Sequence, residues 1–152
     1  MHRKGKDMFD ELKYIELSGK KIPYKCDMFV LEQIQEEYGD LSEFENKLTG
    51  FVPSVDEEGN IIRNEDGYVM GTYKIPEIKT MKKALAWMVK EGLEIEKEEK
   101  GIQTEEIEEK TLVRMVDMPP GELGKKLHEE FNRCFQRKNE QTTQSSKTKK
   151  KE

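Results

Sequence analysis

The apolar residues of this chain come in short runs of helical or strand period, each closed by glycine, proline or a small polar residue. No run approaches the roughly 20 apolar residues that a membrane span needs. Only 34% of the 152 residues are apolar while 39% are charged, against about 25% charged in an average soluble protein. The core must therefore be small and built from elements that are apolar on one face. A chain of this length hides roughly two thirds of its unfolded surface, enough for one compact unit. The basic start Met1 to Lys6 leads into acidic residues instead of an apolar signal segment, so a cytoplasmic location is expected.

From Lys13 to Cys26 the pattern predicts a β-hairpin. Tyr14, Ile15 and Leu17 precede a turn at Ser18-Gly19-Lys20, and Ile22, Tyr24 and Cys26 restore a period of two. Pro23 removes a backbone donor, which suits an edge strand. Asp27 can cap a helix carrying Phe29, Val30, Ile34 and Tyr38, with Gly39 as its stop. A lone hairpin and a helix of about eleven residues are each marginal in water, so the two are expected to pack together. Ser42 followed by Glu45 reads as a capping box for a second helix with Phe44 and Leu48, ended by Gly50.

Residues 51–74 read as an irregular or hairpin-like insertion of low local stability. Glu58-Gly59-Asn60 and Glu65-Asp66-Gly67 look like turns around Ile61-Ile62 and Tyr68-Val69-Met70. Pro76 can open the next helix, with Ile78, Met81, Leu85, Met88 and Val89 on its apolar face and Gly92 as a stop. Leu93 and Ile95 would then make a short extended contact, and Thr104 would cap a helix carrying Ile107, Leu112, Met115 and Val116. Pro119 and Pro120 start the last helix, where Leu123, Leu127, Phe131 and Phe135 recur every fourth residue. No internal repeat is evident. The fold expected is α+β and helix-dominated: an N-terminal β-hairpin packed on a bundle of four to five short helices, with a hairpin-like insertion. One domain over 13–138 is flanked by a flexible segment 1–12 and a disordered tail 139–152.

Charge is segregated along the chain. Residues 26–66 hold two basic against twelve acidic groups, whereas residues 131–152 hold seven basic against two acidic. Such patches can orient a partner or neighbouring copies, although solvated faces explain them as well. The chemistry of catalysis is sparse. Cys26 and Cys134 are the only cysteines and His2 and His128 the only histidines, too few for a disulfide framework or a thiolate zinc site. Six residues along a helix would turn Cys134 and His128 to different faces, which argues against a nucleophilic pair. Acidic pairs such as Glu36 with Asp40 or Glu105 with Glu109 are uninformative among 32 acids. Gly67 to Gly71 lacks the continuation of a phosphate-binding loop. No enzyme activity, cofactor or metal is expected, and nucleic acid is not favoured as a partner because the middle of the chain is acidic.

Three segments carry a resemblance. Ile22-Pro23-Tyr24-Lys25-Cys26-Asp27 running on to Tyr38-Gly39, then Phe44-Glu45-Asn46-Lys47-Leu48-Thr49-Gly50, and Ala84-Leu85-Ala86-Trp87-Met88-Val89-Lys90-Glu91-Gly92 resemble tail assembly chaperones of long-tailed phages and prophages of Gram-positive bacteria. Pro119-Pro120-Gly121-Glu122-Leu123-Gly124-Lys125-Lys126-Leu127 looks like that family's C-terminal helical region. The likeness reaches from about Lys13 to Phe135.

This resemblance implies a non-enzymatic helper in the host bacterial cytoplasm. It would bind the tape measure protein, keep it soluble while tail tube subunits polymerise, and be absent from the mature virion. It also implies a longer product made by ribosomal frameshifting, through which the major tail tube protein is recruited; the Lys147 to Lys151 run fits a slippery region. Association with further copies of itself is compatible with the charge pattern. Trp87, Met88, Leu127, Phe131 and Phe135 are the candidate protein contacts, or else core; Trp87 alone could anchor either one. The alternative is a structural or head-tail joining component retained in the virion.

Overall fold

The computed structural model describes residues 12–101, 103 and 106–135. The expected flexible N-terminus, the disordered tail and the Thr104 cap lie outside the described residues, apart from Leu12. The architecture is helix-dominated α+β. It begins with an antiparallel hairpin of β1 (Lys13–Leu17) and β2 (Lys20–Tyr24). Ser18 and Gly19 both have positive φ, 50° and 80°, the backbone twist that a two-residue hairpin turn needs. Ile15 and Ile22 are cross-strand partners, and both are buried with Leu17 and Tyr24.

Helix α1 (Met28–Tyr38) follows, capped by Asp27, whose Oδ1 accepts the N–H groups of Phe29 and Val30. Val30 and Ile34 are its buried residues. Phe29, expected on the apolar face, is 70% exposed and Met28 is 76% exposed, because the first turn lies beyond the edge of the contact with the body. Helix α2 (Leu41–Thr49) starts two residues earlier than a capping box at Ser42 would place it. Asp40 is the cap and accepts Ser42 N–H. The Glu45 carboxylate is instead 2.8 Å from His128 Nε2.

Helix α3 (Ile78–Lys100) is the spine, about 35 Å long at ~1.5 Å per residue. Two sequence expectations change here. Pro76 lies before the helix instead of opening it, and Gly92 does not stop it; Leu93 and Ile95 are helical, and the left-handed cap is Gly101. Gly92 is a point of close approach. A Cβ there would stand 2.5 Å from the Pro23 carbonyl carbon and 2.7 Å from Tyr24 N, so only glycine lets β2 lie directly on the helix. This contact also explains why Ile22, Pro23 and Tyr24 are buried in succession where a simple strand would alternate. Next to it, Lys25 N–H donates to Met88 O.

Helix α4 (Glu109–Met115) is shorter than expected, with Ile107 before it and Val116 as its end cap. Helix α5 (Pro120–Phe135) starts at the second proline, as expected, and buries Leu123, Leu127 and Phe131. One cluster joins the hairpin and all five helices, centred on Phe44, Leu48, Leu85, Met88, Leu127 and Phe131. Phe44 bridges Tyr38 and Phe131 at ring separations of 5.5 and 5.3 Å.

The buried carboxylate of Glu130, 1% exposed, closes this body. Its Oε2 accepts Cys26 N–H at 2.8 Å and Arg133 Nη2 at 2.7 Å, while Arg133 Nε reaches Oε1 at 3.0 Å. Arg133 Nη2 also donates to Cys26 O at 2.8 Å. Lys13 Nζ stands 3.7 Å from Oε1.

Three stability outcomes follow from this packing. Gly92→Ala forces backbone apart and is expected to destabilise by about 1–3 kcal/mol despite alanine's better helix propensity. Gly121→Ala, with open space around its Cβ, is expected to leave the denaturation midpoint at or above that of the parent. Glu130→Ala strands a buried N–H and a partly buried guanidinium, and the expected loss is about 3 kcal/mol. Urea denaturation of the three variants checks all of this.

Candidate protein-contact surface

The segment between α2 and α3 is more ordered than an irregular insertion. Strands β3 (Phe51–Pro53) and β4 (Gly71–Tyr73) pair antiparallel as a stem. Beyond them Val55 pairs with Ile61 and Arg63 with Val69. The Pro53–Gly71 pair completes a set of three, related by steps of eight residues: 53, 61, 69 on one side and 55, 63, 71 on the other. Their centre is a ring of backbone hydrogen bonds with the same step. Ser54 N–H donates to Met70 O at 2.8 Å, Met70 N–H to Ile62 O at 2.9 Å, and Ile62 N–H to Ser54 O at 3.0 Å.

The two loops of this three-bladed arm have the same construction. Asp56 Oδ1 accepts from Glu58 and Asn60 N–H, and Asn64 Oδ1 accepts from Asp66 and Tyr68 N–H. Gly59 and Gly67, at φ of 85° and 87°, each donate N–H back to the Asp56 or Asn64 carbonyl. The sequence Ser54-Val55-Asp56-Glu57-Glu58-Gly59-Asn60-Ile61 is thus echoed by Ile62-Arg63-Asn64-Glu65-Asp66-Gly67-Tyr68-Val69. This is an internal repeat that sequence reading missed. Its signal was the spacing of Asx and Gly, while most other positions differ.

The arm holds itself by main-chain bonds and exposes its side chains. Val52, Val55, Ile61, Ile62, Met70 and Tyr73 are exposed, and so are Ile75 and Ile78 where the chain rejoins the body. None of them belongs to the core cluster or the residues packed against it. Antiparallel pairing puts Val55 beside Ile61 on one face of the arm. Phe51 and Tyr73 meet at the stem as a tilted aromatic pair with ring centroids 5.2 Å apart. Asp56, Glu57, Glu58, Glu65 and Asp66 give the arm a negative charge that exceeds its two basic groups, Lys74 and Arg63, whose Nη1 donates to Gly67 O.

The contact residues expected from the sequence fall elsewhere. Met88, Leu127 and Phe131 are 0% exposed and hold the monomer together, so they are core and not a free surface. The reason is that α5 lays its stripe against α2 and α3. Trp87 is half-buried against the same core, with Lys83 Nζ 6.0 Å from its ring centroid. Phe135 ends α5, and its side chain lies outside the described residues. His128 and Cys134 are not partners: His128 meets Glu45, and Cys134 lies against Cys26. Among the described residues no cluster of His, Cys, Asp and Glu could hold a metal ion, and no helix is long and apolar enough to cross a membrane.

Glu91 on α3 is held at a pKa of about 8, first by burial, then by a hydrogen bond to Asp27 and by the charges of Asp27, Glu94 and Glu98. A carboxyl group whose folded pKa exceeds its unfolded value near 4.5 favours the native state less as pH rises between the two. Stability is therefore expected to fall as pH rises from about 5 to about 8. Glu91→Gln should flatten that slope in thermal melts across the same range. In comparisons with known proteins, no family model, no curated protein and no solved structure matches this chain.

Proposed function

We propose that this chain is a tail assembly chaperone of long-tailed phages or prophages, which binds the tape measure protein and keeps it soluble while the tail tube forms. The observation that carries this reading is the arm. Seven of the eleven exposed large apolar side chains among the described residues sit on this self-supporting, solvent-facing projection, as on a protein that covers another apolar surface. The resemblance of residues 22–39, 44–50, 84–92 and 119–127 to that family supplies the client. A tape measure protein is long and helical and exposes apolar stripes until the tube surrounds it. Many modest arm contacts along its length would shield those stripes, yet each copy could be displaced by the advancing tube. The major tail tube protein is a second partner in this proposal, recruited through a frameshifted longer product.

The arm, and not the α5 stripe, is the contact surface in this reading. Co-expression with the neighbouring tape measure protein, followed by light scattering, should give a soluble complex with several copies per client. The double variant Val55→Ser with Ile61→Ser should keep its melting temperature and bind the client at least about tenfold more weakly, since about 1–2 kcal/mol is at stake for each apolar contact. Leu127→Ala should unfold the chain instead of selectively weakening the complex. An insoluble client beside unbound chaperone would defeat the proposal. Recovery of the chain from purified tails would favour a retained head-tail joining component.

A further inference from the structure

The chain has two cysteines, and the fold brings them together from opposite ends of the described residues. Cys26 leaves β2 fully buried, its N–H held by Glu130 and its carbonyl by Arg133. Cys134 follows Arg133 and lies one helical turn after Glu130, so its side chain leaves α5 on the face that already grips Cys26. It packs against the core cluster that contains Cys26, but unlike Cys26 it keeps partial access to solvent. Both thiols are free.

The surroundings make the two sulfurs unequal. Contact between the thiols is the largest influence on each, raising the pKa of Cys26 and lowering that of Cys134. Burial raises Cys26 further, while the Arg133 guanidinium favours the Cys134 thiolate. An accessible thiol with thiolate character beside a buried neutral one is the arrangement of an attacking and a resolving cysteine.

We propose that Cys26 and Cys134 form an oxidisable dithiol whose disulfide staples helix α5 to the junction of β2 and α1. The oxidant is a small disulfide such as oxidised glutathione. The Cys134 thiolate attacks one sulfur of that disulfide, forming a mixed disulfide and releasing one glutathione thiolate. The Cys26 sulfur then attacks the Cys134 sulfur, and the second glutathione leaves as thiolate and takes up the Cys26 proton. Two protein thiols are oxidised and one glutathione disulfide is reduced to two thiols. The staple runs parallel to the Glu130–Arg133 bonds and closes a long loop in the unfolded chain, which raises resistance to unfolding. This inference does not depend on the client proposed above.

The test is titration of the full chain with oxidised glutathione, read by intact mass and thiol count. The parent should lose two hydrogens in mass, fall from two thiols to none without a retained adduct, and melt at higher temperature than the reduced form. Cys26→Ser, or Cys26→Ala if the serine destabilises the core, should accumulate a glutathione adduct on Cys134. Cys134→Ser should stay unmodified while folded. A parent that retains two thiols, stops at the mixed disulfide or forms intermolecular dimers would overturn the proposal.

Discussion

The structure depends on keeping the backbone of Cys26 satisfied inside the core. Where β2 ends and α1 has yet to begin, neither strand nor helix supplies partners for that residue's peptide groups. Burying them unpaired would cost roughly 1–3 kcal/mol each. Glu130 takes the N–H and Arg133 gives to the carbonyl, both from the C-terminal helix. Because the carboxylate is itself buried, the guanidinium that neutralises it is part of the same solution. The hairpin, α1 and α5 are thereby placed relative to one another, and α3 receives β2 across Gly92.

That body accounts for most of the apolar residues, and it does so economically. Leu123, Leu127 and Phe131 cover Phe44 and Leu48, while Met81, Leu85 and Met88 line the spine. The arm follows a different rule. It is stabilised by main-chain pairing, by Asx-anchored loops and by the ring joining Ser54, Ile62 and Met70, none of which needs a buried side chain. Its apolar side chains consequently remain exposed. This division between a packed body and a hydrogen-bonded arm is what makes a client-covering role physically reasonable for so charged a chain.

Much of the body was legible because it rests on local rules. The turn at Ser18 and Gly19, the Asp27 cap, the stops at Gly39 and Gly50 and the α5 start at Pro120 all appear where short-range chemistry placed them. The misreadings share a cause. Gly92 resembles a helix stop unless one knows that β2 crosses there, and Ser42 with Glu45 resembles a capping box unless one knows that His128 lies opposite. Phe29 fits the apolar period of α1 but falls past the edge of the body. In each case a distant residue decided what a local pattern left open.

The proposed contact surface was the least legible part. Spacing identifies a side chain as apolar and assigns it to a face, so Met88, Leu127 and Phe131 stood out, yet it does not say which faces meet. Sequence alone determined the class of fold, the hairpin, both ends of α1, the end of α2 and the start of α5. Only the tertiary structure decided that the stripe is core, that residues 51–75 form an arm with its apolar groups outward, and that Cys26 meets Cys134. The physical reason is range: turns, caps and periodicity act over a few residues, whereas burial and pairing depend on segments that the chain brings together only on folding.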